Sequence, residues 1–180
     1  MEATKEIVVD QGSVEQKTKE PKTKNKVTLV VFSGDLDKVL AAFNIATGAA
    51  SMGKEVTLFF TFWGLNVLRK NNGKNTAKGW MKKMFGWINK GGTEKLPLSK
   101  FHMGGAGTSM MKKLMLQHRM PSPEEMLVLS KEMGVKIIAC TITMGIMGIE
   151  KSALRDEIDA YAGVVTYLAE AEKSSVNLFI

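Results

Sequence analysis

The 180-residue sequence predicts an α/β domain with a mainly parallel sheet, and three apolar runs carry this prediction. The runs occupy residues 27–32, 56–62 and 135–140. Continuous apolar, β-branched runs of this kind are typical of strands buried on both faces. Helical patterns lie between them, so strands and helices alternate along the chain. This alternation predicts a flavodoxin-like, or Rossmann-like, three-layer sandwich.

The first two strands and the helix between them form a predicted βαβ unit. The helix begins after the first strand, where Ser33 or Asp35 is placed to cap it, and it runs to about Met52. Gly53 is placed to end it in a left-handed conformation. The unit should cross over in the right-handed sense.

The segment between the second strand and residue 100 has the least regular pattern. A helix is predicted over 64–70, the run NNGKN at 71–75 breaks it, and an amphipathic stretch follows at 79–92. We interpret the apolar residues of this stretch as a satellite core, with a lid or a subunit contact as the alternatives.

A glycine turn at 104–107 is predicted to lead into a helix that ends near Met120. Met111, Met115 and His118 share the apolar stripe of this helix, so we expect a structural role for His118. The glycines resemble a phosphate-binding loop only superficially. No strong strand precedes them, and neither the Walker pattern nor the complete GxGxxG pattern is present.

The following helix carries a clear start signal. Ser122 is the expected N-cap, Pro123 the first helical residue and Glu125 the partner in a capping box, while Gly134 is the expected end. After the third strand we expect the remaining elements in this order: a loop, a helix, a last helix at 163–174 and a last strand at 176–180.

The formal net charge of +7 comes mostly from two basic regions. One is residues 1–25, which we expect to form a flexible basic arm ahead of a single domain at 26–180. The other lies between residues 69 and 83. We interpret both as solvated surface and expect no nucleic-acid partner, because no recognised binding motif accompanies the charge.

Cysteine and histidine usage excludes several classes of site. Cys140 is the only cysteine, which excludes an intrachain disulfide, a CxxC redox pair and a four-cysteine zinc or iron–sulfur site. His102 and His118 do not share a helical face, so we expect neither a metal site nor a cofactor. The N-terminus has no apolar signal core, and the apolar stretches are shorter than the ~18 residues of a spanning helix. We therefore expect no membrane span and a cytoplasmic location.

Ligands of parallel sheets bind beyond the carboxyl ends of the strands, where the candidate site residues lie. Cys140 is the most reactive residue type at this edge. A helix that starts just after it would favour its thiolate, and the alternative is a small buried hydrophobe that ends a strand. The other candidate pocket residues are Ser33, Gly34, Asp35, Trp63, Gly64, His102, Gly104, Gly105, Thr141 and Met144.

Four segments together resemble the DsrE/DsrF-like family, and the match is closest to its second subgroup, often labelled peroxiredoxin-like or sulfurtransferase-like. The segments are VFSGDLDKVLAAFNIATGAASMGKEVTLFFTFWGL, LSKFHMGGAGTSMMKKLM, GVKIIACTITMGIMGI and GVVTYLAEAEKSSVNLFI. The resemblance covers nearly everything from Lys26 to Ile180 and implies a flavodoxin-like sandwich that commonly forms oligomers. It also implies a sulfur relay, in which a cysteine holds sulfane sulfur as a persulfide.

On this sequence the persulfide cysteine of the resembling family maps to Cys140. The subgroup commonly continues with methionines and a glycine, which correspond here to Met144, Met147 and Gly148, and it carries an acid where this chain has Gly145. The resemblance thus implies a sulfurtransferase or carrier, with donor and acceptor proteins as partners and a homo-oligomer as its state. The alternatives are a small-ligand or nucleotide-binding module without chemistry and an assembly subunit.

Overall fold

A computed structural model describes residues 25–71, Trp80 and residues 91–180 of the chain. Within these residues a five-stranded sheet has the order β4-β3-β2-β1-β5, and every neighbouring pair of strands is parallel. The strands are β1 Lys26–Val31, β2 Glu55–Phe60, β3 Lys136–Cys140, β4 Ala160–Ala162 and β5 Val176–Phe179. The predicted α/β fold with a parallel sheet is confirmed.

Helices lie on both faces of this sheet, which confirms the three-layer arrangement. The α-helices of the described residues are α1 Leu36–Ser51, α2 Ala106–Gln117, α3 Pro123–Glu132, α4 Thr141–Met147 and α5 Val164–Glu172. Short 3₁₀ turns occur at Phe62–Asn66, Thr93–Lys95, Met103–Gly105 and Lys151–Ala153. None of the helices in the described ranges is long and apolar enough to cross a membrane.

The two faces of the sheet carry cores of different size. On one face, α1 buries its apolar stripe, and the ring centroids of Phe43 and Phe60 lie 6.3 Å apart within the larger core. On the other face, α5 covers a small cluster that contains Phe59 and Cys140. Tyr167 of α5 packs on that cluster, with its ring 5.2 Å from the ring of Phe59.

The helix-end signals behave as expected at three positions and differ at one. Gly53 and Gly134 have φ of 73° and 78°, and Ser122 forms the capping box with Glu125. Asp35 occupies the N-cap position of α1, but its side chain makes no cap hydrogen bond. Its carboxylate instead accepts hydrogen bonds from the Ser33 hydroxyl at 2.9 Å and from the Lys38 ammonium at 2.8 Å, rather than from a backbone amide of the first turn.

The chain around Cys140 corrects two predictions. The loop expected after Cys140 is instead helix α4, which begins at Thr141, and the helix expected next is replaced by a 3₁₀ turn and β4. β4 is only three residues long, too short for an alternating or buried-run pattern to stand out. Likewise, the helix predicted over 64–70 is a 3₁₀ turn at Phe62–Asn66.

His118 was expected on a buried stripe, and this prediction is wrong. The residues that α2 buries are Gly107, Thr108 and Met115, whereas His118 is exposed. The predicted arm at 1–25 and most of the amphipathic stretch at 79–92 lie outside the described residues, so their interpretations stay predictions.

Candidate functional site

The parallel register brings the ends of the first three strands together at one edge of the sheet. Val31 pairs with Phe60, Phe60 pairs with Ala139, and Cys140 pairs with Ala162. The residues that follow β1 and β2 therefore lie level with Cys140 at the carboxyl edge. This arrangement follows from the parallel direction of the strands and places Thr61 next to the end of β3.

The connections on either side of Cys140 leave the sheet in opposite directions. After β3 the chain enters α4, whose Met144 and Met147 pack in the larger core. After β4 it enters α5, which packs on the opposite face. We call the region between the ends of β3 and β4, where these two connections diverge, the crevice. Cys140 lies beside it at the end of β3, whereas the strand order reverses between β1 and β5, which is the switch point of this sheet.

Small residues leave room on the other side of the crevice. Ala162 is the neighbour of Cys140 on β4, and Gly163 follows it at the start of α5. A Cβ atom added to Gly163 would meet no heavy atom within 4 Å. The backbone at Gly163 therefore leaves open space beside the end of β4.

Cys140 is both the last residue of β3 and the N-cap of α4. The residue is only 5% exposed. The Thr143 hydroxyl donates a hydrogen bond to its sulfur over 3.5 Å. The amide N–H groups of Ile142 and Thr143 face the sulfur, although they do not reach the geometry of a cap hydrogen bond.

Two opposing effects set the acidity of this thiol. Burial raises the pKa of Cys140, because the thiolate loses solvation. The Thr143 hydroxyl and amide, then the neighbouring Thr61 hydroxyl and the Ile142 amide, lower it by more, so the pKa of Cys140 lies below its ordinary value. Cys140 is therefore a buried residue at the end of a strand, and its thiolate is nevertheless stabilised by neighbouring donors.

The sequence analysis assigned no role to Thr61 or Thr143, which contact each other through their hydroxyl oxygens at 2.9 Å. Thr141 was named instead, but it is exposed at the first position of α4. The sequence spacing could have identified Thr143, because the third residue after an N-cap lies close to the cap residue. Met144, named as a pocket residue, packs in the larger core rather than in the cluster that contains Cys140.

A second cavity of about 420 Å³ lies along the same edge beyond β1. It brings together Ser33, Gly34, Asp35 and Trp63, four of the predicted pocket residues, with Lys38, Lys95 and their neighbours. Cys140 does not line it. The cavity has polar and charged walls of both signs and is large enough for a small polar ligand.

Close backbone packing explains two glycines beside this cavity. A Cβ atom on Gly34 would lie 2.6 Å from the carbonyl oxygen of Trp63. A Cβ atom on Gly64 would lie 2.0 Å from the carbonyl oxygen of Val31. Both positions therefore require glycine for the 3₁₀ turn to approach the end of β1.

The glycine turn before α2 belongs to a different region. Gly104 and Gly105 have φ of 64° and 105°, and the His102 ring nitrogen Nδ1 contacts the Thr108 hydroxyl at 2.9 Å. None of these residues is among the hydrogen-bond partners of Cys140. The structure therefore does not bring His102 into the crevice. No group of three metal-ligating side chains occurs within the described ranges.

Comparison with known proteins identifies relatives across most of the chain. One is an uncharacterised Bacillus subtilis protein, YrkE, which is 47% identical over 86% of this chain and 96% of its own length. Another is a sulfur carrier protein, DsrE2, of Allochromatium vinosum, which is 33% identical over 86% of this chain and 98% of its own length.

The solved structures that match this chain are much more distant in sequence. The Escherichia coli protein ychN is 12% identical, with a TM-score of 0.48 over 86% of this chain and 99% of its own. The protein MTH1491 of Methanobacterium thermoautotrophicum is 15% identical, with a TM-score of 0.44 over 85% and 97%. The profile of the DsrE/DsrF/DrsH-like family matches residues 23–179. The chain belongs to the DsrE/DsrF/DrsH-like family.

Proposed function

We propose that this protein is a sulfur carrier that holds sulfane sulfur as a persulfide on Cys140. The family and the 33% identical sulfur carrier support a role in sulfur relay in general. The observation that carries the specific proposal is the Cys140 thiol at the carboxyl edge of the sheet, with hydroxyl and amide donors directed at its sulfur. Such donors favour the thiolate, which is the nucleophilic form of cysteine.

The chemistry consists of two thiol-exchange steps. In loading, the Cys140 thiolate attacks the terminal sulfur of a donor persulfide, the donor S–S bond breaks, and the donor departs as a thiolate. In unloading, an acceptor thiolate attacks the terminal sulfur on Cys140, and Cys140 departs as the thiolate. No external oxidant or reductant is needed. Because the chain has one cysteine, both the donor and the acceptor thiol belong to other molecules.

Loading is tested by intact-mass spectrometry after treatment with inorganic polysulfide. The wild-type protein should gain the mass of sulfur, lose it again with dithiothreitol, and release thiocyanate with cyanide. Cys140→Ser should gain no sulfur under the same conditions. A wild-type protein that gains no sulfur from polysulfide or from a small-molecule persulfide would refute the proposal.

We also propose that the protein forms a homo-oligomer and that its partners are donor and acceptor proteins. Several apolar side chains of the two helices that begin beside the crevice are exposed: Ile142, Ile146, Val165 and Leu168. Clustered exposed apolar residues mark interaction surfaces. A cytoplasmic location and a single domain at 26–180 stay predictions.

The 420 Å³ cavity supports a second candidate function, small-ligand binding without chemistry at Cys140. A ligand that binds the folded state must raise its melting temperature. A thermal-shift panel of nucleotides and small thiols tests this candidate, and Lys38→Ala should reduce any stabilisation that originates in the cavity. No shift at millimolar ligand would remove this candidate.

A further inference from the structure

The hydrogen bonds around Cys140 form a chain that begins on a different element of the fold. Thr143 Oγ1 donates to the sulfur over 3.5 Å, and Thr61 Oγ1 lies 2.9 Å from Thr143 Oγ1. A hydroxyl has one proton to donate and two lone pairs to accept with. Because the Thr143 proton is directed at the sulfur, Thr61 must be the donor in the contact between the two threonines.

The two threonines differ in their access to solvent. Thr143 is 2% exposed, so its hydroxyl has few partners other than the sulfur and Thr61. Thr61 is only partly buried and stands at the end of β2, where its amide donates to the Val31 carbonyl at 3.0 Å. The hydrogen-bond chain therefore runs from the solvent side of the crevice to a buried sulfur. Strand β2 and helix α4 hold its two hydroxyls at fixed positions.

Within the described ranges, the segments around Cys140 offer the anion no charged partner. The segments that meet at the crevice, residues 60–66, 141–147 and 160–168, contain no Asp, Glu, Lys, Arg or His. Their titratable groups are Tyr161, which packs with the larger core, and Tyr167, which packs on the cluster that contains Cys140. Hydrogen bonds therefore have to supply the stabilisation that a cation supplies in other cysteine sites.

We propose that Thr61 is a positioning residue that acts through Thr143, and that this two-hydroxyl chain stabilises the Cys140 sulfur in both half-reactions. In loading, the sulfur is the attacking thiolate. In unloading, the same atom receives the electron pair of the breaking S–S bond and leaves as a thiolate. A donor chain on this one atom therefore assists sulfur transfer in both directions. The role of the two threonines in sulfur transfer rests on the proposed function, whereas their hydrogen-bond geometry concerns the thiol alone.

The test is the pH dependence of iodoacetamide alkylation of Cys140 in the full chain, which needs no sulfur donor. Thr143→Val should move the midpoint of the profile up by about one pH unit, since a hydrogen bond to a charged group is lost. Thr61→Val should move it in the same direction by less. The double variant should match Thr143→Val, because Thr61 acts through Thr143, and Thr143→Ser should restore the wild-type midpoint.

Thr57→Val is the matched control. Thr57 is a buried threonine on β2, four residues before Thr61, and is 1% exposed. The Thr57→Val substitution should leave the alkylation midpoint unchanged, and melting curves should show that all the variants fold. Unchanged midpoints in Thr61→Val and Thr143→Val would overturn the inference. Additive shifts in the double variant would overturn the relay, because Thr61 would then act on the sulfur directly.

The same variants separate this inference from the proposed function. If the inference holds, Thr143→Val should slow both polysulfide loading and unloading to dithiothreitol at pH 7. A wild-type protein that takes up no sulfur but shows the shifts in alkylation would refute the carrier proposal alone. A wild-type protein that takes up sulfur while the variants keep the wild-type alkylation profile would refute the relay alone.

Discussion

Two glycines near the crevice show how differently single positions are constrained. Gly64 is buried, its amide donates to the Phe32 carbonyl at 2.8 Å, and a Cβ atom there would lie within 2.0 Å of another carbonyl oxygen. Gly145 lies within α4, and a Cβ atom there would meet no heavy atom within 4 Å. The first glycine is required by close packing, whereas the second only adds conformational freedom to a helix.

Alanine at these two positions should therefore change stability in opposite directions. Gly64→Ala should lower the free energy of unfolding by about 2 kcal/mol or more, because the backbone contact must open. Gly145→Ala should raise it by about 0.5–1 kcal/mol, because glycine is disfavoured inside a helix. Urea unfolding followed by circular dichroism measures both. A neutral Gly64→Ala would show that the 3₁₀ turn does not depend on this close approach.

At the scale of elements, one carboxylate ties helix α5 to the sheet in addition to the packing of Tyr167. The helix has no fully buried residue, yet Glu170 bonds to the ammonium groups of Lys136 at 2.7 Å and of Lys26. The hydrogen bond from Lys136 and then that from Lys26 lower the pKa of Glu170 to about 2. This carboxylate therefore ties α5 to β1 and β3 at the end of the sheet opposite the crevice.

The depressed pKa of Glu170 makes the stability of the protein depend on acid pH. A group whose pKa is lower in the folded state stabilises it above the unfolded value, and this contribution is lost as the pH falls from about 4.5 towards 2. Glu170→Gln should cost about 2 kcal/mol at pH 7, with solvent screening of the partly exposed pair included. Urea unfolding at pH 7 and at pH 2.5 should show the difference shrink. An equal difference in the free energy of unfolding at both pH values would show that the ionised Glu170 carboxylate is not its cause.

The elements also show what sequence patterns can and cannot predict. Strands β1, β2 and β3 were predictable, because burial on both faces requires continuous apolar runs. β4 and α4 were missed, because three residues carry no periodicity and Gly145 weakens the helical pattern. Cys140 could be placed at the edge from its strand alone. The roles of Thr61 and Thr143 depend on the alignment of β2 with α4, which no local pattern encodes.

At the scale of the whole molecule, the face around the crevice differs from the rest of a basic protein. Residues 141–147 and 163–169 contain no charged side chain, although the chain carries a net charge of +7. Ile146 and Val165, one on each side of the crevice, are 63% and 77% exposed. Depletion of charge together with exposed apolar groups is typical of the core of a protein interface. This face is therefore where we expect copies of the chain to associate.

The expected outcome is a wild-type mass that is a multiple of the 19.8 kDa chain in light scattering after gel filtration. Val165→Glu, and separately Ile146→Glu, should reduce that mass, because a charge in the interface loses its solvation on association. Val128→Glu is the control, since Val128 is 40% exposed on α3 and lies away from the crevice. A monomeric wild type would refute the predicted association, and a mass that responds only to the control would place the interface elsewhere. Because the same face surrounds Cys140, a shorter alkylation time in Val165→Glu would indicate that association also limits access to the sulfur.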